Sequence, residues 1–236
     1  MHASNSLLDL CPVCGNRQFT TEKILWPELI KAWGLTADEV DYINLQQGLC
    51  CTKCGNNLRS MTLAAALMNA FKFVGTFQDF CRTDPAIRHL AILEVNSAKN
   101  LTPFLQQLPG HTLKSFPQLD MQRMNYDDAS IDIIIHSDTL EHVPDSRAAL
   151  AESLRILKTG GHLFYTVPII VGRLTRTRTG LPPSYHGQKK VAANDYVVRT
   201  EYGADFWCET FAAGFRKIEL TSLIFPASVA IHATKS

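Results

Sequence analysis

The hydrophobic positions in the middle of the chain predict one β-α-β unit. Residues 131–136 form a short, mostly β-branched run, which is typical of a strand covered on both faces in a parallel sheet. Asp145 then stands at a helix N-cap position, and the residues that recur at helical spacing after it are Ala149, Leu150, Ser153, Leu154 and Leu157. Gly160 and Gly161 are predicted to end this helix, and residues 163–167 to resume as a strand. Open α/β sheets bind ligands where a strand passes into a helix, so the polar loop before Asp145 is the first place to look for a functional site.

Hydrophobic runs on either side extend the same alternation. Further strands are predicted at residues 89–95, 111–115, 217–221 and 223–233. The pattern becomes irregular at about residues 169–203, which reads as an insertion, and a helix-like stretch follows at residues 204–213. Strands that alternate with helices favour the α/β class with a mostly parallel sheet.

Helical patterns predominate in the first third of the chain. Thr36 and Glu39 have the spacing of a capping box, which predicts the start of a helix. The predicted helices cover residues 26–33, 37–46, 57–71 and about 73–80. The Asp84-Pro85 pair is predicted to end this helical passage.

Composition and charge narrow the class of protein. The chain has 236 residues, of which 46% are hydrophobic and 19% are charged, as in ordinary globular domains. Its net charge of +1 provides no global basic field for nucleic acid. We expect no membrane span and no signal peptide, because no apolar run reaches the length needed and the N-terminus lacks a basic leader. A cytoplasmic location is the resulting expectation.

Five of the seven cysteines lie in the first quarter of the chain, where two C-x-x-C-G motifs stand out. Two such motifs supply four soft ligands for a tetrahedral zinc ion, and we predict that these are Cys11, Cys14, Cys51 and Cys54. Cys50 is the alternative to Cys51, but only Cys51 repeats the x-x spacing. A closed four-sulfur site has no open coordination position, so the predicted role is structural.

A redox C-x-x-C pair is the alternative interpretation of these cysteines. It would need only one motif, within a thioredoxin-like pattern that the sequence lacks. The odd number of cysteines also argues against a disulfide framework.

Residues 120–168 resemble the second half of a class I S-adenosylmethionine (SAM)-dependent methyltransferase. The likeness lies in D-x₇-D-x-S-x-D-I-I-I, then D-x-L-E-H-V-P-D, then R-x-L-K-x-G-G-x-L-x-x-x-V-P. It implies a Rossmann-like α/β fold with a mostly parallel, seven-stranded sheet, preceded by the small zinc-binding module. The modules implied are a zinc-binding segment at 1–57, a helical connector at 58–86 and a methyltransferase-like domain at 87–236, with the substrate insertion at about 169–203.

The resemblance also implies which residues meet the cofactor SAM: Glu94, Asn96, Ser115, Asp120, Met121 and Asp138. Asp120 would end the third strand and accept a hydrogen bond from the adenine amino group, and Met121 would pack on the adenine. The chain departs from the family pattern twice. The turn after the first strand contains no glycine, and Ser115 replaces a carboxylate that would accept from both ribose hydroxyls.

Catalytic candidates lie in two loops. His142 belongs to the D-x-x-E-H loop, which in the family closes over the methyl donor; a local structural role is the alternative. Tyr185 and His186 match a P-x-x-Y-H-G element of similar enzymes, where His186 could accept a proton from the acceptor and Tyr185 could orient it. Both could instead anchor the insertion by hydrogen bonds. The basic residues before them, Arg173, Arg176 and Arg178, read either as a solvated loop or as a lid that grips a phosphate or carboxylate.

These features predict a methyltransferase that acts on a small-molecule or carbohydrate-like acceptor. An RNA methyltransferase is the less favoured alternative, since the basic loop supports it and the net charge opposes it. A third hypothesis, supported by the glycine-free turn and Ser115, is a binding protein of the same fold without turnover.

Overall fold

A computed structural model of the chain describes residues 8–185 and 197–236. These residues form two units. The first comprises Met1–His89 from its first described residue onward, with Lys99–Pro109 and Leu220–Ala230. The second comprises Leu90–Ala98, Gly110–Glu219 apart from its undescribed segment, and Ile231–Ser236. The boundaries predicted at residues 57 and 86 stay a prediction.

The first unit is mainly helical. Its elements are β1 (Phe19–Thr21), α1 (Pro27–Trp33), α2 (Ala37–Gly48), β2 (Leu49–Cys51), α3 (Leu58–Ala70), α4 (Phe77–Thr83), α5 (Pro85–Arg88) and α6 (Thr102–Leu105), with a 3-10 turn at Lys99–Leu101. The capping box of α2 is confirmed: Glu39 N donates to Thr36 Oγ1 at 3.3 Å, and Thr36 N donates to the Glu39 carboxylate at 2.8 Å. The Asp84-Pro85 prediction was wrong. Asp84 caps a further short helix, α5, because proline is well placed in a first helical turn.

Helix α3 is the centre of the first unit. It is buried from Leu58 to Met68, including the polar side chains of Arg59, Ser60 and Thr62. Its one buried hydroxyl contact to a distant residue joins Thr62 Oγ1 to Ser228 Oγ at 2.5 Å. Since the Thr62 hydroxyl donates to the Leu58 carbonyl, the Ser228 hydroxyl is the donor in this pair.

The second unit contains the sheet. Its elements are β3 (Ile92–Val95), β4 (His111–Lys114), β5 (Ile131–Ser137), α7 (Ser146–Ile156), β6 (Leu157–Thr166), β7 (Ile169–Ile170), β8 (Arg176–Thr177), β9 (Thr200–Gly203) and α8 (Cys208–Ala212). The last two strands of the chain, β10 (Lys217–Thr221) and β11 (Ala230–Thr234), complete the sheet. A 3-10 turn, Leu140–His142, follows β5.

The main sheet differs in part from the prediction. Its order is β10-β11-β6-β5-β3-β4, with six strands in the described residues rather than the seven predicted. The pairs β3/β4, β3/β5 and β5/β6 are parallel, whereas β11 runs antiparallel to β6, so the sheet is mixed. No strand forms between β4 and β5, where the chain makes turns. The segment contains three Asp, one Asn and one Pro and lacks the alternation that a strand requires.

Helix α7 begins where predicted and ends earlier. The Asp145 cap is confirmed, since Ala148 N donates to its carboxylate at 2.9 Å. The helix ends at Ile156, before Gly160 and Gly161, and β6 begins at once. The glycines instead lie where the β5/β6 register slips: Gly160 has φ 78°, and a Cβ on Gly161 would lie 2.8 Å from the Lys158 carbonyl oxygen.

The insertion contains regular structure. Strands β7, β9 and β8 form a separate three-stranded sheet in the region predicted to be irregular. These strands are two to four residues long, too short for a periodic signal in the sequence. In the part of the chain that the structure describes, no helix is long and apolar enough to cross a membrane.

We expect the Thr62–Ser228 hydrogen bond to stabilise the first unit. Thr62→Val removes the acceptor of a buried hydroxyl and should lower the free energy of unfolding by about 1–3 kcal/mol, measured by urea denaturation. The control is Thr62→Val combined with Ser228→Ala, which removes both partners and should recover part of the loss. Simple additivity of the two single substitutions would contradict this coupling.

Candidate functional site

The four predicted metal ligands lie together in the first unit. The Sγ atoms of Cys11, Cys14, Cys51 and Cys54 are all within 4.8 Å of one another, and they form the one such cluster found in the described residues. Cys11 and Cys54 are 3.7 Å apart, and Cys14 and Cys51 are 3.6 Å apart. A tetrahedral site with Zn–S bonds of about 2.3 Å places its sulfurs about 3.8 Å apart, so the four cysteines can hold a zinc ion.

Two matching turns build this cluster. Gly15 N donates to the Cys11 carbonyl at 2.8 Å, and Gly55 N donates to the Cys51 carbonyl at 2.9 Å. Both glycines adopt positive φ, 73° and 68°, which explains why each motif continues with Gly. The repeated backbone geometry aims the two sulfurs of each turn at one point.

Side chains outside the motifs support the sulfurs. Asn16 Nδ2 donates to Cys51 Sγ and Asn56 Nδ2 donates to Cys54 Sγ, both at 3.5 Å. Donors of this kind orient ligands and moderate their charge. The hydrogen bond from Cys11 lowers the pKa of Cys54, which favours the thiolate form that a metal ion binds. Cys50 lies outside the cluster, and its thiol faces the Gln47 carbonyl at 3.8 Å.

The second unit places several predicted site residues at the carboxyl ends of its parallel strands. Asn96 directly follows β3, Ser115 follows β4, and Asp138 follows β5. Because these strands are parallel neighbours, the three residues lie along one edge of the sheet.

Asn96 links the ends of three strands. Its backbone has φ 56°, the left-handed region that Asn tolerates and that the sequence suggested for this turn. Its N–H donates to the Lys114 carbonyl at 2.8 Å, and its Oδ1 accepts from Phe116 N at 3.2 Å. Its Nδ2 reaches Thr139 Oγ1 at 3.5 Å. Asn96 therefore makes the turn without glycine, and its side chain ties β3 to the chain beyond β4 and β5.

Glu94 is buried, and both of its carboxylate oxygens have partners within the protein. It is 0% exposed, Oε1 accepts from Ala98 N at 2.7 Å, and Oε2 lies 2.7 Å from His111 Nε2. Its geometry is that of a residue that holds the turn, and direct contact with a cofactor stays a prediction.

Asp138 is held at the end of β5 by its neighbour β6. Its backbone has φ 47°, its N–H donates to the Thr166 carbonyl at 3.0 Å, and its Oδ1 accepts from Thr166 Oγ1 at 3.3 Å. Ser115, by contrast, is half-buried, with its carbonyl accepting from Leu119 N at 3.1 Å.

Asp120 is not at the end of a strand, so that prediction was wrong. It lies in a turn, where its Oδ1 accepts from Gln122 N at 2.9 Å and from Gln122 Nε2 at 3.1 Å. Asp and Asn favour such local bonds over strand pairing. Met121 beside it is buried. Contact of either residue with adenine stays a prediction.

His142 lies in the 3-10 turn after β5. Its Nδ1 is 3.1 Å from the Val197 carbonyl, and its Nε2 is 3.6 Å from Glu141 Oε1. A carbonyl can only accept, so Nδ1 carries a proton. Burial lowers the pKa of His142 below its ordinary value of 6.5, against the opposing effects of the Val197 bond and the charge of Asp138.

The chain that returns from the insertion binds this turn at two points. Besides the Val197 bond, Arg199 N donates to the Glu141 carbonyl at 2.6 Å. Tyr185 forms an antiparallel bridge to Val197 and is partly exposed. Tyr185 and His142 therefore contact the same residue. His186 lies outside the described residues.

The arginines of the insertion have a partner that the sequence analysis missed. Arg173, Arg176 and Arg178 all form ion pairs with Glu201 on β9, which is 1% exposed. The Arg173 and Arg176 contacts measure 3.6 and 2.8 Å. This favours an internal role in the small sheet over a solvated loop. Glu201 was missed because it lies more than twenty residues beyond the arginines, with no spacing rule to connect them.

Comparison with known proteins identifies one segment of the chain. Residues 86–165 match the family described as "Methyltransferase domain". The chain carries a methyltransferase domain. The predicted family is thus confirmed for this segment, and SAM is the cofactor of the family. A search of curated proteins gives no match.

Solved structures of SAM-dependent methyltransferases show distant likeness to this chain. One from Thermotoga maritima has 14% identity and a TM-score of 0.41, covering 74% of this chain and 99% of that chain. One from Mesorhizobium loti has 16% identity and a TM-score of 0.42, covering 64% and 93%. One from Methanosarcina mazei has 12% identity and a TM-score of 0.39, covering 61% and 91%. At these values the family match alone identifies the domain.

Zinc content tests the cysteine cluster. We expect about one zinc per chain by elemental analysis of unchelated protein. Cys51→Ser should lose the metal, whereas Cys50→Ser, the matched control beside it, should retain it. Equal loss in both variants would contradict the choice of Cys51.

Glu201 should be essential to the small sheet. Glu201→Gln leaves buried Arg178 without its carboxylate and should lower the free energy of unfolding by about 3–5 kcal/mol, measured by urea denaturation. Asp128→Asn, which breaks an exposed ion pair to Arg155, is the control and should cost less than about 1 kcal/mol. Equal effects would show that Glu201 is not a buried counter-charge.

Proposed function

We propose that the chain transfers a methyl group from SAM to a small-molecule or carbohydrate-like acceptor. The observation that carries this proposal is the set of polar groups at the carboxyl edge of the parallel strands within a methyltransferase domain. Asn96, Ser115, Asp138 and His142 each follow the end of β3, β4 or β5. This is where open α/β sheets bind ligands.

The residues at this edge fit the cofactor. The left-handed backbone at Asn96 makes the tight turn that glycine makes elsewhere in the family, so a ligand can approach the turn. The Ser115 hydroxyl can accept a hydrogen bond from one ribose hydroxyl, and the Asp138 carboxylate can accept hydrogen bonds from polar groups of the methionine part. When bound, SAM supplies an electrophilic methyl group on a sulfonium.

His142 is the proposed general base. With the Nδ1 proton held by the Val197 carbonyl, the neutral ring has its lone pair on Nε2. His142 Nε2 would accept the proton of the acceptor's hydroxyl or amine as the methyl group is transferred, and the demethylated thioether would leave with the electron pair of the broken methyl–sulfur bond. The rest of the rate enhancement comes from holding the acceptor in line with the methyl group.

The insertion is the proposed acceptor-binding region. Tyr185 is exposed and shares the Val197 contact with His142, which supports the proposal that it orients an acceptor. His186 remains a proposed second base on sequence grounds alone. The ion pairs of the three arginines with Glu201 support a small acceptor over RNA, because they leave less positive charge to meet a phosphate backbone.

The cysteine cluster is proposed to bind zinc for structure. Four sulfurs fill a tetrahedral shell and leave no position for substrate or water. Reduced cysteines of this kind suit the cytoplasm, which we propose as the location.

Calorimetry with SAM tests the proposal. The full-length, zinc-containing protein should bind SAM and its demethylated product, and labelled SAM should transfer its methyl group to a component of a small-molecule extract. Absence of binding at millimolar SAM would overturn the proposal. Binding without transfer to any extract would favour the non-catalytic hypothesis, and transfer only to RNA, with steep salt dependence, would favour the RNA alternative.

The role of His142 predicts a specific pH profile. Because burial lowers the pKa of His142 below 6.5, activity should be retained at neutral pH and lost only at a more acidic pH than that of an ordinary histidine, as the ring becomes protonated. His142→Gln should lower kcat by about 10²–10⁴-fold with little change in SAM affinity, and should abolish this acid limb. An unchanged kcat, or an acid limb that persists in the variant, would contradict the role as base.

A further inference from the structure

The turn after β3 is held from within by a buried carboxylate. Families of this fold use glycines here, whereas this chain has Asn96, Ser97 and Ala98. Glu94 Oε1 accepts the Ala98 N–H at 2.7 Å, which closes the turn back onto its own strand. The position of this carboxylate therefore sets the position of the turn.

The carboxylate is held by the next strand. His111 is the first residue of β4 and pairs in register with Ile92, two residues before Glu94. From there its ring reaches along the sheet, and Nε2 lies 2.7 Å from Glu94 Oε2. The His111 side chain is only 4% exposed, so water does not compete for this contact. An ionised carboxylate only accepts, so His111 Nε2 is the donor.

We propose that His111 is a positioning residue for the cofactor turn. It donates to one oxygen of Glu94 so that the other oxygen keeps the Ala98 N–H and fixes the turn for SAM. This inference rests on the proposed function, since the turn matters there as the place where the methyl donor binds. His111 itself lies at the opposite end of β4 from Ser115, so it would act through Glu94 and the turn and not on the substrate directly.

The burial of Glu94 makes this contact consequential. A buried carboxylate needs hydrogen-bond donors around it. Without the His111 donor, the Glu94 side chain should shift toward other donors. The Ala98 N–H moves with it. We therefore expect loss of the His111 donor to weaken SAM binding about ten- to a hundredfold, while the chemical step, which occurs elsewhere, keeps its rate.

Three substitutions separate positioning from packing. In His111→Gln the amide Nε2 reaches the place of the imidazole Nε2, so this variant should rescue SAM affinity. In His111→Asn the donor stops one bond short, and in His111→Leu there is none. Both should raise the KM and Kd for SAM and leave kcat nearly unchanged. His89→Gln, at an exposed position, is the control for the change of residue type.

Amide hydrogen exchange at Ala98 provides a readout that needs no cofactor. Exchange should be faster in the Asn and Leu variants than in wild type and Gln. Equal SAM affinity and equal exchange across all variants would overturn the role of His111. If wild type itself fails to bind SAM, the proposed function fails, and exchange at Ala98 still decides whether His111 holds the turn. If His111→Leu does not fold, the comparison of Gln with Asn decides.

Discussion

The exclusion of water from two carboxylates organises the functional half of this protein. Glu94 and Glu201 are both nearly inaccessible to solvent, and a charge in such a place persists only with donors around it. Glu94 accepts hydrogen bonds from the Ala98 amide and the His111 imidazole, and these bonds fix the turn after β3. Glu201 forms ion pairs with three guanidinium groups, and these pairs stabilise the small sheet of the insertion. In the proposed function, one carboxylate serves the cofactor side of the site and the other serves the acceptor side.

The parallel strands explain why the remaining site residues come together. Asn96, Ser115 and Asp138 are far apart in sequence, and each is the first residue after its strand. Since β4, β3 and β5 are adjacent and point the same way, their ends coincide in space. The chain therefore needs no long-range side-chain pairing to assemble this edge.

The sequence was most informative where a signal is local. The β-branched run of β5, the capping box of α2, the Asp145 cap and the spacing of the four cysteines all depend on residues close to one another. It was least informative where the outcome depends on contacts across the fold. The absent third strand, the glycines used for a register slip, and the pairing of basic residues with Glu201 are settled by packing partners that no periodicity reveals.

The hydrogen bond from His142 to Val197 limits which positions must be kept when such a sequence changes in evolution. Its acceptor is a main-chain carbonyl, which every amino acid possesses. The side chain at position 197 can therefore change freely while the tautomer of the histidine is preserved. The segment that carries Val197 can change in sequence without disturbing this hydrogen bond, and motif comparison would not reveal the connection.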